Sequence, residues 1–198
     1  MTQAPQTPPT PQAEAVRELL ADGSGAGAWA LDPASSSVRI TAKSIWGLVT
    51  ADGTFSDVSG EGTLTADGGI SGRLTIGAAS IDTANAKRDT HLRSADFFDV
   101  EKHPRIVVSV SGTGGDLTGD GVALSAEITV KGATRVVPVT AAVAPEPGTG
   151  SGADSGVDAV RLSVKTVVEH REFGIVWSPM GMLKPLTAVT IEAVFRRA

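Results

Sequence analysis

The chain contains no cysteine and no tyrosine, only five phenylalanines and three tryptophans, and a single asparagine, Asn85. Without cysteine there can be no disulfide, no thiolate metal site and no cysteine nucleophile. Histidine is scarce too, at three residues. No basic block or stripe is present and the formal net charge is −5, so nucleic acid is not an expected partner. No stretch approaches the ~20 apolar residues that span a bilayer, so stable membrane insertion is not expected either. Residues 1–12, MTQAPQTPPTPQ, lack the basic start and apolar run of a signal peptide, which makes the cytoplasm the expected location. There is no G-x-S-x-G elbow and no Walker A loop. GAGAWA (25–30) fits G-x-G-x-x-A, but it follows no strand and opens no helix, so it does not read as a dinucleotide site. The sequence calls for no cofactor.

What is abundant is Gly, Ala, Val and Thr, a composition that favours β-structure with many turns. At 198 residues the chain can bury the core of one ordinary domain. Residues 1–27 read as a disordered tail, a short amphipathic helix over 13–21 (Val16, Leu19 and Leu20 on one side) and a flexible glycine-rich joint. Residues 28–198 form the main domain, and there the apolar period becomes two. Val38, Ile40 and Ala42 alternate with polar neighbours; so do Val122, Leu124, Ala126, Ile128 and Val130, and Val160, Leu162, Val164, Thr166 and Val168. Such runs mean half-buried strands. Weaker strand signals lie near 46–55, 61–67, 70–81, 105–113, 133–144 and 187–196. Short turns between them imply antiparallel pairing. So long a sheet must close into a barrel or fold into a two-sheet sandwich. A barrel of about eight strands can be filled or can hold a small ligand. With few aromatic side chains to plug it, a ligand cavity is the expected interior.

The one long segment without strand character is 83–104, and within it KRDTHLRSADFFD (87–99) is chemically crowded. A helix is expected from Asp82 or Thr83, either of which can cap it, to about Arg93. Asp89 and Arg93 stand at i and i+4, a pair worth ~0.2–0.5 kcal/mol on a helix surface. Asp89 and His91, at i and i+2, cannot face each other as a dyad. Ser94 can cap a second turn, with Phe97 and Phe98 as anchors into the barrel mouth and Leu92 as an apolar contact. Arg88 can grip a ligand's polar head bidentately or tie the helix to strand-end carbonyls. Pro104 ends the excursion and biases His103 towards extended backbone. His91, His103, His170 and Glu172 do not have the spacing of a metal site; HRE (170–172) is not an H-E-x-x-H helix. Farther on, Phe173, Trp177, Met180 and Met182 read as an adaptable apolar rim, and Trp46 and Phe55 as further lining residues.

SIDTANAKRDTHLRSADFFDVEKHPRIVVSVSG (80–112) carries Ser-Ile-x-Thr, Arg-Asp-x-His-Leu, Asp-Phe-Phe-Asp and a strand-opening proline in that order. This resembles the signature of the YceI-like family of lipocalin-like β-barrel proteins. WALDPASSSVRITAK resembles the family's opening strand, GVALSAEITVKGATRVVPV its central hairpin, and REFGIVW (171–177) its Phe-Gly segment. The resemblance covers about residues 28–196. It implies an all-β antiparallel lipocalin-like barrel of about eight strands, with a short helical excursion at one mouth and an N-terminal helix outside it. It also implies a long apolar ligand, since members are associated with polyisoprenoids such as polyprenyl quinones or their precursors, and with fatty amides. Many members are periplasmic, and the N-terminal extension here departs from that pattern.

The function expected is therefore that of a binding or carrier protein, holding a polyisoprenoid-type or fatty small molecule and performing no chemistry. The alternative is a cytoplasmic barrel enzyme that cyclises or isomerises a bound polyene or polyketide. Holding reactive ends together lowers such barriers with few polar groups, so missing catalytic motifs do not exclude it. A third reading is an interaction module that forms a homodimer through strand edges or the N-terminal helix.

Overall fold

The structure, a computed structural model, describes residues 14, 18–19, 23–44, 48–118, 121–146, 157–178 and 183–198. Its strands are β1 Gly27–Leu31, β2 Ser37–Ser44, β3 Val49–Phe55, β4 Val58–Leu64, β5 Gly69–Gly77, β6 Ile81–Asp82, β7 Arg105–Thr118, β8 Gly121–Val130, β9 Ala133–Pro145, β10 Ala159–Glu169 and β11 Leu186–Arg197. An α-helix, α1, runs over Ala86–Arg93, and 3-10 turns occupy Pro33–Ser35, Ala78–Ser80 and His170–Phe173.

Every pairing is antiparallel, and the strands β1, β4, β5, β7, β8, β9, β10 and β11 follow one another around the sheet until β11 returns to β1. The result is a closed eight-stranded barrel. Two of its staves are bent. β1 continues into β2 across a turn in which Asp32 accepts from the Ala34 amide at 3.1 Å and the Ser35 hydroxyl at 2.9 Å, with Pro33 fixing the first φ. β3 likewise continues into β4. β11 closes both halves of the first stave: Phe195 lies opposite Leu31 of β1, and Thr187 opposite Ala42 of β2. β6 extends the outer edge of β3 by two residue pairs, Thr54 with Asp82 and Phe55 with Ile81.

Inward-facing positions follow the sequence alternation. Val38, Ile40 and Ala42 of β2, Ala126, Ile128 and Val130 of β8, and Val164, Thr166 and Val168 of β10 all line one interior space. The strand expected over 70–81 instead breaks at Gly77, where the Ala78–Ser80 turn carries the chain across to β3.

The two barrel ends differ. At the base, Leu19, Trp29 and Val160 are buried together with Phe195 packed on them. The glycine-rich segment expected to be a flexible joint is here a hydrogen-bonded turn. The Gly25 amide donates to the Leu19 carbonyl at 3.1 Å, and the Trp29 indole donates to the Gly25 carbonyl at 3.0 Å. A β-carbon on Gly25 would sit 2.7 Å from side-chain atoms of both Leu19 and Leu64, so only glycine fits that approach. Nearby, Arg161 binds Glu146 through two nitrogens at 2.8 and 3.0 Å and holds its carboxyl below the ordinary range. The opposite end is the mouth, where residues 83–104, the β8–β9 turn and the segment after β10 meet.

Candidate functional site

The interior space is a cavity of about 690 Å³ that opens at the mouth. Its walls are almost wholly aliphatic and aromatic. Over the mouth lies a lid made of α1 and the turns that follow it.

The lid is held by its charged residues. Asp89, only 6% exposed, accepts from the Thr83 amide at 3.0 Å and from the Thr83 hydroxyl. Arg88 donates from Nε to the Thr83 hydroxyl and from Nη2 to the Thr83 carbonyl, both at 2.7 Å. Arg93 donates to the carbonyls of Ala79 at 2.8 Å and Ile81 at 2.7 Å. These bonds replace the expected Asp89–Arg93 surface pair: both side chains turn towards the strand end instead of towards each other. The cap also differs from expectation. Asp82 is held in β6, and Ala84 has a left-handed φ of 56° that no helix admits, so Asn85 caps α1 by accepting from the Arg88 amide at 3.1 Å. The helix ends at Arg93 as expected, and the Ser94 carbonyl then receives the Phe97 amide at 3.1 Å.

Phe98 is buried and meets Phe55 edge-on, with ring centroids 5.9 Å apart. Phe97 stays nearer the rim in a trio with His91 and Trp177, whose centroid separations are 5.0, 4.4 and 5.4 Å. His91 also bonds Asp96 at 3.0 Å, so it is paired away from Asp89. Lys131, at the β8–β9 turn, donates to the Ala95 carbonyl at 2.7 Å and pins the lid from the far side. Trp177, 38% exposed, is the point where the segment after β10 touches the lid.

One polar group stands apart from this scaffold. His170 is 7% exposed and lines the cavity on the β10–β11 wall. It begins a 3-10 turn directly after β10, and that turn closes at Gly174, whose φ is 72°. Its Nδ1 lies 3.4 Å from the Thr187 hydroxyl, and Thr166 lines the same wall. Burial, assisted by the positive charge of Arg171 and opposed by Glu169, pushes the imidazole below its ordinary range. It is therefore neutral near pH 7. Among the described residues no three His, Cys, Asp or Glu side chains gather as a metal site.

The YceI-like domain matches this chain over residues 29–195. The chain belongs to the YceI-like domain family. The UPF0312 protein of Ectopseudomonas mendocina is 36% identical over 92 residues, 45% of this chain and 47% of that protein. Protein YceI of Shigella flexneri is 34% identical over 91 residues, with the same shares of 45% and 47%. The chain thus spans about half the length of the curated relatives it matches. Among solved structures, Burkholderia cenocepacia BcnA superposes with a TM-score of 0.69 at 19% identity, covering 83% of this chain and 98% of that one. A polyisoprenoid binding domain from Saccharophagus degradans, implicated in plant cell wall breakdown, gives 0.66 at 14% identity, covering 86% and 98%. At those identities the likeness is one of fold.

Within this YceI-like domain, seven residues singled out in the sequence line the cavity: Phe55, Arg88, Leu92, Phe97, Phe98, Phe173 and Trp177. Trp46, Met180 and Met182 lie outside the described residues. His170 lines the cavity as well, beyond the residues expected to do so. The signal was there, because the inward series Val164, Thr166, Val168 reaches position 170 at its next step.

Proposed function

We propose that this protein binds a lipophilic small molecule with a polyisoprenoid-type or fatty chain, carrying or sequestering it inside the barrel. The observation that carries this reading is the apolar cavity that opens beneath an aromatic lid. Its volume of about 690 Å³ falls in the range of small-molecule sites, roughly 300–1,000 Å³. Burying ~400 Å² of apolar ligand surface supplies about 10 kcal/mol. Lost ligand freedom offsets an estimated ~4 kcal/mol or more of that. The polyisoprenoid binding domain of similar fold supports the choice of an elongated chain. Arg88, Asp89 and Arg93 are engaged in holding the lid, which supports binding over chemistry.

The test is native mass spectrometry of the protein purified from its own host, followed by denaturation and identification of the released compound. A stoichiometric lipophile is the expected result; protein that is always empty, and stays empty when offered isoprenoid or fatty chains, contradicts the reading.

A further inference from the structure

We infer that His170, with the hydroxyls of Thr187 and Thr166, forms a polar subsite that takes the uncharged hydrogen-bonding head of the ligand, a hydroxyl or carbonyl, in preference to an anionic one. The inference rests on the lipophile-binding reading above and names the head group that reading leaves open.

Three observations carry it. First, a histidine more than nine-tenths buried on an apolar wall has one side-chain hydrogen-bond partner among the described residues, the Thr187 hydroxyl at a long 3.4 Å. Its backbone is satisfied, the amide donating to the Pro185 carbonyl at 3.0 Å and the carbonyl receiving the Ile175 amide at 3.2 Å. Thr187 engages only one of the two ring nitrogens, and the residue lines the cavity, where a ligand group can meet the imidazole. Second, the position follows from strand geometry. Val168 lies opposite Thr187 and Thr166 opposite Val189 across β10 and β11, so His170 tops a short polar patch on a wall otherwise made of valine and isoleucine. Third, the arginine and the histidine of the lid that line the cavity are already engaged, which leaves few side chains there to hold an anion. Arg88 is committed to Thr83 through two nitrogens and His91 to Asp96, leaving exposed Lys87. Phosphate recognition draws on several charge-assisted bonds, whereas a neutral imidazole can donate to or accept from a neutral head.

The experiment uses three probes on one isoprenoid chain: geranylgeraniol, its monophosphate and the corresponding hydrocarbon. Affinities are measured by calorimetry for wild-type protein, His170→Phe and His170→Gln, each checked for folding by circular dichroism. Wild-type protein should bind the alcohol roughly fivefold more tightly than the hydrocarbon, and the monophosphate no more tightly than the alcohol. His170→Phe should erase that preference while keeping hydrocarbon affinity, and His170→Gln should retain most of it. Equal binding of alcohol and hydrocarbon by wild-type protein overturns the inference and leaves the cavity reading intact. A preference that survives His170→Phe, or tightest binding of the monophosphate, overturns it as well. Failure of every probe to bind overturns the cavity reading together with the subsite.

Discussion

A carboxylate buried at the start of a lid must find donors, and Asp89 finds both of its donors on Thr83. That pairing explains why Asp89 is not a surface charge despite its position on a polar helix. Asp89→Ala leaves the Thr83 amide unmatched in a partly buried place, and should destabilise the protein by about 2–3 kcal/mol in urea denaturation. Asp89→Asn, which keeps an acceptor, should cost less. His170 gives a pH effect whose sign follows from its depressed folded-state pKa. As pH falls through the ordinary histidine value of about 6.5, the unfolded chain takes up a proton that the buried imidazole resists. The wild type should therefore lose stability on acidification relative to His170→Gln, with its advantage over that variant greatest above about pH 7 and shrinking towards pH 5. Thermal melts across that window check it; a constant gap between the two proteins contradicts it.

At the scale of elements, the lid and the barrel wall meet through Phe98 and Phe55. Phe98→Ala should cost about 3–5 kcal/mol, and amide exchange over 86–99 should quicken more than exchange in β7–β10. If exchange rises uniformly, the lid does not open on its own and Phe98 belongs to one cooperative core. Phe97 and Phe98 were legible in the sequence as anchors because a pair of large apolar side chains beside a charged helix needs somewhere to go. The division of labour between them was not legible, since it depends on Trp177 arriving from residues far along the chain to meet Phe97. The start of α1 was misread for a similar reason. Asp82 and Thr83 are good caps in isolation, but β6 pairing and the Thr83–Asp89 bonds hold both of them back, and Asn85 is the first residue free to cap. His170 was legible in part: strand alternation carries it inward, but the 3-10 turn that begins there is not encoded by that alternation.

For the whole molecule, the period-two alternation identified most staves and their inner faces, because a half-buried strand must alternate whatever its partner. Closure was a different matter. It depends on β11 bridging β1 and β2 through Phe195 and Thr187, pairings between the two ends of the domain that no local pattern encodes. Barrel and sandwich therefore stayed open on the residues alone, and the family likeness anticipated which one forms. The closed wall is also what makes the interior a binding site: small β-branched side chains around a closed circumference leave space that a sandwich would fill. The most direct test of that claim is calorimetric titration of the protein with geranylgeraniol at several temperatures, beside a cavity-filling variant, Val164→Trp. The account predicts saturable one-to-one binding with a negative heat-capacity change from apolar burial, lost in a folded Val164→Trp protein. Absence of saturable binding, or binding undiminished by the filled cavity, would contradict it.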